Sequence, residues 1–426
     1  MTTLIIGASQ AGVQLATTMR ELGDTSPITL IGEESHRPYQ RPPLSKAFLK
    51  GEVQPSELLF RSDEWWHTHD VRLVLWQRII SITRDARGGI AVASDGTPYP
   101  FERLALTTGA AARRIPLEGS DLRGVTYLRD ADDSIALAAM IGDARSVAVI
   151  GGGFIGLEVA AGARSLGKRV TVLEATPRLV GRVVSEDVSA FYLDAHRRRG
   201  SEVLLDAQVT RLVGDAASGH GGVVTGVELA DGTVVEADVV LIGVGVIPRT
   251  ELAEQLGLQT GLGGALGIVV DERAVTSDGL TVAAGDCTLM PNPYARGSGL
   301  PLRLESVQNA VEQAKAAAAT LVGLGSDYRM TPWFWSDQAD LKLQIAGLST
   351  GFDRTVVRGD LAGEKFSVLY YRDDRLIAGD SVNSPLDHIA IKQALHRDQH
   401  IDPDAAGDAR VPLRSLVTDS PLRGDS

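Results

Sequence analysis

Cysteine is almost missing from this chain: Cys287 is the only one in 426 residues. An internal disulfide is excluded, and so is any mechanism that needs a redox-active pair of cysteines. Long apolar runs are lacking too. The richest, Val239 to Pro248, holds two glycines and falls well short of the ~18–20 apolar residues that span a bilayer, so it predicts a buried strand and no membrane association. Positive charge is in deficit, with 42 basic against 54 acidic residues and a net charge of −12. Phosphate backbones need a concentrated basic surface, so nucleic acid is not an expected partner. Arg197-Arg198-Arg199, the one basic cluster, follows a helical pattern and predicts a solvated helix end. His396 and His400 have helical spacing but no third ligand in view, so no metal site is expected. Met1-Thr2-Thr3 runs straight into Leu4-Ile5-Ile6-Gly7 with no basic segment and no cleavage pattern, which predicts a cytoplasmic protein.

What the chain does have is length, apolar content and a repeated pattern. At 426 residues with 44% apolar content, two or three domains are expected. A strand–turn–helix–strand unit occurs twice. The first runs Thr3-Leu4-Ile5-Ile6, then Gly7-Ala8-Ser9-Gln10-Ala11-Gly12, then a helix with Leu15, Met19 and Leu22 on one face. Gly23 stops that helix, and the strand Ile28 to Ile31 leads to Gly32-Glu33-Glu34. The second runs Val147 to Ile150, then Gly151-Gly152-Gly153-Phe154-Ile155-Gly156, a helix to Leu166-Gly167, and the strand Arg169 to Leu173 ending in Glu174. In such a turn the first glycine allows the tight bend out of the strand. The second keeps a Cβ away from a pyrophosphate, and the third lets helix and strand pack closely. The helix N-terminus offers N–H groups to phosphate, and the acid at the end of the second strand accepts from a ribose hydroxyl. Ser9 replaces the middle glycine of the first copy. Two dinucleotides are therefore expected. Glu174 favours NADH over NADPH, because a carboxylate accepts from a 2′-hydroxyl and repels a 2′-phosphate. Arg178 and Arg182 stand close enough in sequence to soften that preference. Gly214 to Gly222 and Gly261 to Gly267 lack the strand-then-helix context and read as loops.

A set of longer motifs is more specific than the glycines. These are Arg41-Pro42-Pro43-Leu44-Ser45-Lys46, Thr107-Thr108-Gly109-Ala110, Ala284-Gly285-Asp286-Cys287, Arg303-Leu304-Glu305-Ser306-Val307-Gln308-Asn309-Ala310 and Pro332-Trp333-Phe334-Trp335-Ser336-Asp337-Gln338. On these, over nearly its whole length, the chain resembles the FAD-dependent NADH:ferredoxin reductases of bacterial oxygenase systems. The resemblance implies an α/β fold with two Rossmann-like dinucleotide-binding domains and a C-terminal α+β domain. Residues 1–108 and 243–326 would form the FAD domain, 109–242 the inserted NAD domain, and 327–426 the third. The strands of that third domain are expected at Leu343 to Ala346, Arg354 to Val357 and Phe366 to Tyr370, with a turn at Asp373-Asp374 and a helix from about Leu386 to Leu395.

Carried over motif by motif, Gly7, Ser9, Ala11 and Gly12 would meet the FAD pyrophosphate, and Glu33 its ribose. Arg41, Pro43, Lys46, Ile79, Thr108, Gly109, Arg129, Gly285, Val307 and Trp335 would complete the FAD site. Asp286 follows an apolar strand and a glycine turn, and is expected at the start of a helix, accepting from ribityl hydroxyls. Gly151, Gly153, Phe154, Ile155, Gly156, Glu158, Glu174, Arg182 and Gly245 would hold NADH. The resemblance also implies that Lys46 and Glu158 form the catalytic charge pair beside the reacting rings. It implies a 2Fe–2S ferredoxin feeding an oxygenase as electron acceptor; an NADH oxidase, a rubredoxin or quinone reductase, and an NADH-sensing binding flavoprotein of the apoptosis-inducing-factor type are the alternatives. A monomer is expected, and an acidic iron–sulfur partner would need a local basic patch on this acidic chain, using arginines such as Arg296, Arg303 or Arg354. Ala339 and Gln308 depart from the tyrosine and proline usual at their positions.

Overall fold

The computed structural model describes residues 1–215, 222–291 and 301–419. Contacts divide the chain into two compact units. One comprises residues 1–40, 55–111 and 247–334, the other residues 41–54, 112–246 and 335–426.

The first unit is organised by five parallel strands in the order Val282–Ala283, Arg103–Leu106, Thr3–Ile6, Ile28–Ile31, Val71–Val74. The central strands read as mainly apolar runs because both sheet faces are covered, while Arg72 is exposed on the edge strand. Leu4 and Ile6 pack on one face with Leu104, Leu106 and the antiparallel strands Ile79–Asp85, Gly88–Ala93 and Pro98–Phe101. Ile5 points to the other face, among Leu15 and Met19 of the helix Gln10–Glu21 and Ala314, Ala317 and Ala318 of the helix Val307–Leu321. Leu22 does not share that face. It caps the helix and stays 40% exposed, since Gly23 at φ +87° turns the chain one residue later. Gly261 to Gly267, expected as loop, is a hairpin: Leu262 pairs with Ala265 across Gly263-Gly264, both at positive φ as a tight two-residue turn requires.

The second unit repeats the parallel design with Glu202–Leu204, Arg169–Leu173, Ser146–Ile150, Val239–Ile242 and Val125–Thr126. Gly214, also expected in a loop, pairs with Val224 between the strands Val209–Asp215 and Val223–Leu229. A second sheet has the order Trp333–Gln338, Leu341–Gly347, Arg375–Val382, Lys365–Arg372, Arg354–Asp360. The helix Pro385–His396 covers it, burying Ala390, Ile391 and Ala394 against Ala346, Leu369 and Tyr371. Asp373 and Asp374 both take positive φ and make the hairpin turn anticipated there.

The three arginines at the end of the helix Glu186–Arg198 are not simply solvated. Arg199 makes a two-pronged contact with Asp340 at 2.8 and 3.0 Å and reaches Glu364 at 2.6 Å. Arg198 pairs with Asp194 at 2.6 Å and with Glu364 at 2.9 Å. These contacts tie the helix end to the sheet that contains Trp335.

Candidate dinucleotide sites and a buried charge pair

In the first unit the sequence motifs gather at the carboxyl ends of the parallel strands, the place where open α/β sheets bind ligands. Gly7 sits at φ +118°, and a Cβ there would lie 2.0 Å from the Thr107 carbonyl oxygen. A Cβ on Gly12 would lie 2.0 Å from the Gly7 oxygen, so helix and strand approach closely only because both are glycine. Thr107 Oγ1 locks the turn by donating to the Gly7 carbonyl at 2.8 Å. Gly285, at φ +89°, brings its Cα next to Ala11 and Ala310: a Cβ would be 3.3 and 3.8 Å from theirs. Its N–H donates to Gln313 Oε1 at 2.8 Å. These small residues make a shallow cradle into which a pyrophosphate fits.

Other expected FAD residues fall in the same unit. Thr108 Oγ1 donates to the Arg249 carbonyl at 2.8 Å, and the Gly109 carbonyl accepts from Arg249 N–H at 3.0 Å. Ile79 opens its strand and is buried, paired with Ala93. Val307 is the first residue of its helix, behind the cap Ser306. Glu33 is paired with Arg249, a partner that sequence reasoning missed. Its only signal was a position just past a strand-ending proline. Asp286 departs from expectation in one respect. No helix follows it; the chain passes through Cys287 into the strand Thr288–Leu289, which pairs with Ile268 and Val269. Cys287 is fully buried, with its pKa pushed up by burial, and so is a packing residue.

The second unit carries the complete glycine turn. Gly151 is at φ +109°, and a Cβ would stand 2.4 Å from the Gly243 oxygen; on Gly156 it would stand 2.2 Å from the Gly151 oxygen. A Cβ on Gly153 would meet nothing within 4 Å, which is the open space a pyrophosphate needs. Glu174 Oε2 accepts from Gly152 N–H at 2.7 Å, and Oε1 accepts from Thr176 N–H and Oγ1 at 2.9 and 2.7 Å. The carboxylate is thus held against the turn by neutral donors. Arg178 is committed to its own loop, donating to the Gly181 carbonyl at 2.9 Å. Arg182 is exposed, near Gly245, and Ile155 is 45% exposed while Phe154 is half-buried.

Lys46 and Glu158 come together in this unit. Lys46 Nζ lies 2.8 Å from Glu158 Oε2, with the ammonium also donating to the Pro42 carbonyl at 3.2 Å. Glu158 lies one turn into the helix Phe154–Ser165 and is 3% exposed. Burying that charge requires donors, and two hydroxyls add to the ammonium: Ser45 Oγ at 2.5 Å on Oε2 and Ser336 Oγ at 2.7 Å on Oε1. Both serines lie inside motifs visible in the sequence, but neither hydroxyl was singled out. The segment 41–46 is fixed by Arg41, which donates to the Arg129 carbonyl at 2.7 Å, and by Ser134 Oγ, which donates to the Leu44 carbonyl at 2.7 Å. Pro43 lies in the short helical turn Pro42–Ser45 and accepts from Lys46 N–H at 2.9 Å, closing its end. Gly162, one turn beyond Glu158, leaves room for this segment; a Cβ there would touch Leu49 at 3.5 Å.

Residues 1–314 match the family model described as pyridine nucleotide-disulphide oxidoreductase, and residues 333–417 the model described as reductase C-terminal. The chain belongs to the pyridine nucleotide-disulphide oxidoreductase family. It is 41% identical to rhodocoxin reductase of Rhodococcus erythropolis, over 98% of this chain and 94% of the relative. Among solved structures it resembles the ferredoxin reductase for the CYP199A2 system from Rhodopseudomonas palustris, with TM-score 0.91, 40% identity, and coverage of 98% of this chain and 100% of that one. It also resembles the reductase in the covalent putidaredoxin reductase–putidaredoxin complex, with TM-score 0.91, 36% identity and 97% coverage of both. The chain is thus an oxidoreductase of the ferredoxin reductase type, a class that uses FAD and NAD(P)H.

The remaining expectations sort by geometry. Trp335 is half-buried in the strand Trp333–Gln338. Of the arginines named for docking, Arg303 pairs with Glu305 at 2.5 Å, and Arg354 with Asp404 at 2.6 Å and Asp374 at 3.3 Å; Arg296 lies outside the described residues. Among the described residues there is no cluster of metal-ligating side chains, and no helix is long and apolar enough to cross a membrane.

Proposed function

We propose that the protein oxidises NADH and passes the electrons through FAD to a 2Fe–2S ferredoxin that feeds an oxygenase. One observation carries this reading. Two glycine-turn sites, each followed by a strand that leads to a glutamate, occur in a chain whose only cysteine is buried. With no thiol pair to receive them, electrons from bound flavin go to an external acceptor. The similar putidaredoxin reductase, solved as a covalent complex with putidaredoxin, supports the choice of acceptor.

In this reading residues 1–108 and 243–326 hold FAD, residues 109–242 hold NADH, and residues 327–426 form the third domain of a cytoplasmic monomer. Gly7, Ser9, Ala11 and Gly12 accept the FAD pyrophosphate, Glu33 and Ile79 its adenosine half, and Arg129 supports the phosphates. Thr108, Gly109, Gly285, Asp286 and Val307 line the rest, Arg41 and Pro43 complete the FAD site, and Trp335 serves the exposed flavin side. Bound FAD supplies the chemistry of accepting a hydride and releasing electrons singly. The protein's part is to orient and to stabilise charge. Lys46 presents an ammonium where negative charge develops, and Glu158 holds that lysine in place. Gly151, Gly153, Phe154, Ile155, Gly156 and Gly245 cradle the second nucleotide. Glu174, held by the neutral donors of Gly152 and Thr176, selects the free 2′-hydroxyl over a 2′-phosphate despite Arg182 nearby.

The test is anaerobic mixing of the yellow protein with NADH or NADPH, with and without a 2Fe–2S ferredoxin, following flavin and iron–sulfur absorbance. Rapid ferredoxin reduction with NADH is expected. Rapid flavin reduction with transfer to a rubredoxin, a quinone or oxygen in place of ferredoxin would keep the nucleotide sites and remove the partner.

A further inference from the structure

A buried line of hydrogen bonds runs from the Lys46–Glu158 pair toward the helix Glu186–Arg198. Ser336 Oγ donates to Glu158 Oε1 at 2.7 Å, and Gln338 Nε2 donates to Ser336 Oγ at 3.2 Å. Gln338 Oε1 lies 2.8 Å from His196 Nε2. Glu158, Ser336, Gln338 and His196 are each no more than 3% exposed. The donor and acceptor roles follow by elimination. The one Ser336 proton goes to the carboxylate, so its oxygen must accept from the Gln338 amide group. That turns the amide oxygen toward His196, whose Nε2 must then carry the proton. Every bond points the same way, from His196 to Glu158, and aligned bonds of this kind polarise one another.

The fold supplies the alignment. Ser336 and Gln338 are two apart on one strand and so share a face. His196 lies in the last turn of its helix, and the adjacent Arg199 grips Asp340 in the turn just past that strand. Terminal torsions of a glutamate are broad and two-fold, so fixing Oε1 decides where Oε2 points. Oε2 is the oxygen that holds Lys46.

We propose that Ser336, Gln338 and His196 are positioning residues that anchor Glu158 Oε1 and thereby aim Oε2, and with it the Lys46 ammonium, for hydride transfer. The proposal rests on the reading of Lys46 and Glu158 as the reacting pair. Burial lowers the pKa of His196, so the line ends in a neutral ring and adds no second charge to the interior.

Two measurements test it. In protein labelled with ¹⁵N-histidine, the His196 ring is expected to be neutral with its proton on Nε2; the resonance is assigned by its loss in His196→Gln. A proton on Nδ1 alone would reverse the amide and overturn the line without any functional assay. Anaerobic stopped-flow reduction by NADH separates affinity from the limiting rate. Gln338→Met and Ser336→Ala are expected to lower the limiting rate about tenfold, as a small misplacement does, with NADH affinity unchanged within about twofold; Ser336→Thr, which keeps the hydroxyl, restores most of it. Folded, flavin-replete variants with unaltered limiting rates would overturn the proposal. Lys46→Ala and Glu158→Gln are run beside them. If these slow reduction and Gln338→Met does not, only the line fails. If none slows it, the reacting pair falls and the line with it.

Discussion

The two glycine turns are built alike and charged differently. Gly7 and Gly12 superpose in role on Gly151 and Gly156: each pair closes the turn at distances that no Cβ could share. The middle position is Ser9 in one and Gly153, with open space beside it, in the other. The acids diverge further. Glu33 is paired with a cation, Arg249, whereas Glu174 is held by the backbone of its own turn and by Thr176. Two residues past the third glycine stands Gln14 in the first copy, bonded to Thr18 Oγ1 at 3.0 Å, and Glu158 in the second. The same turn is therefore accompanied by a cation-paired acid in one unit and, in the other, by an acid held by neutral donors, with the Lys46–Glu158 pair on the helix that follows. The first design suits a cofactor that stays; the second suits a substrate that must be chosen and oriented.

The largest effect is expected from filling the turns. Gly12→Val should yield a colourless protein that no longer retains FAD. Gly156→Val should stay yellow and be reduced by dithionite, while its reduction by NADH falls at least about a hundredfold, or ~2.7 kcal/mol. Absorbance spectra and far-ultraviolet circular dichroism decide both. If Gly156→Val loses flavin as readily as Gly12→Val, the division of labour between the turns is wrong.

Making the second copy resemble the first is the next test. Glu158→Gln gives it the residue that the first copy has at Gln14. Removing that carboxylate frees Lys46, and the limiting rate of flavin reduction is expected to fall about ten- to a hundredfold. Gln14→Ala, measured in the same stopped-flow assay, should leave the rate within about twofold.

These contrasts show how much was legible in the sequence. The glycine spacing, both terminal acids and the strands beside the two turns were readable, since turn chemistry and apolar runs are local properties. The strands Val71–Val74, Arg103–Leu106, Val125–Thr126 and Glu202–Leu204, short or interrupted by charged residues, were not. The pairing of Lys46 with Glu158 came from the resemblance, not from spacing, because 111 intervening residues hide it. Arg249, Ser45 and Ser336 as partners of acids were not legible at all, for their roles are created by packing. Asp286 was misread in context. A strand, a glycine turn and an acid looked like a helix start, but the apolar residues after it, Leu289 and Met290, are buried as strand and core.

A smaller change is expected at Glu174. Glu174→Ala leaves Gly152 N–H free and removes the repulsion toward a 2′-phosphate, so the ratio of kcat/KM for NADPH to that for NADH should rise about tenfold, ~1.4 kcal/mol. Glu33→Gln should not move that ratio, although FAD retention measured by dilution should weaken. A shift in cofactor preference from Glu33→Gln would erase the distinction between the two acids.

The smallest effect sharpens what the donors around Glu158 accomplish, by comparison with another buried carboxylate in the same unit. Asp380 is 1% exposed and receives the Tyr370 hydroxyl on Oδ2, while Oδ1 has no hydrogen-bond partner among the described residues. Glu158, by contrast, has an ammonium and two hydroxyls. Burial pushes the Asp380 pKa up to about 7, against the opposing effect of Tyr370. An unfolded aspartate titrates near ~3.9, so between that pH and about 7 the folded state binds the extra proton. Stability from this group is therefore full at low pH and is lost as pH rises through the folded pKa. Asp380→Asn keeps the shape of the protonated acid and cannot ionise. Its Tm relative to wild type should climb between pH 5 and pH 7 and level off above, by a few degrees in all. A difference that stays flat over that range would mean that Asp380 ionises as readily as an exposed aspartate, and that desolvation without donors does not keep this carboxyl neutral.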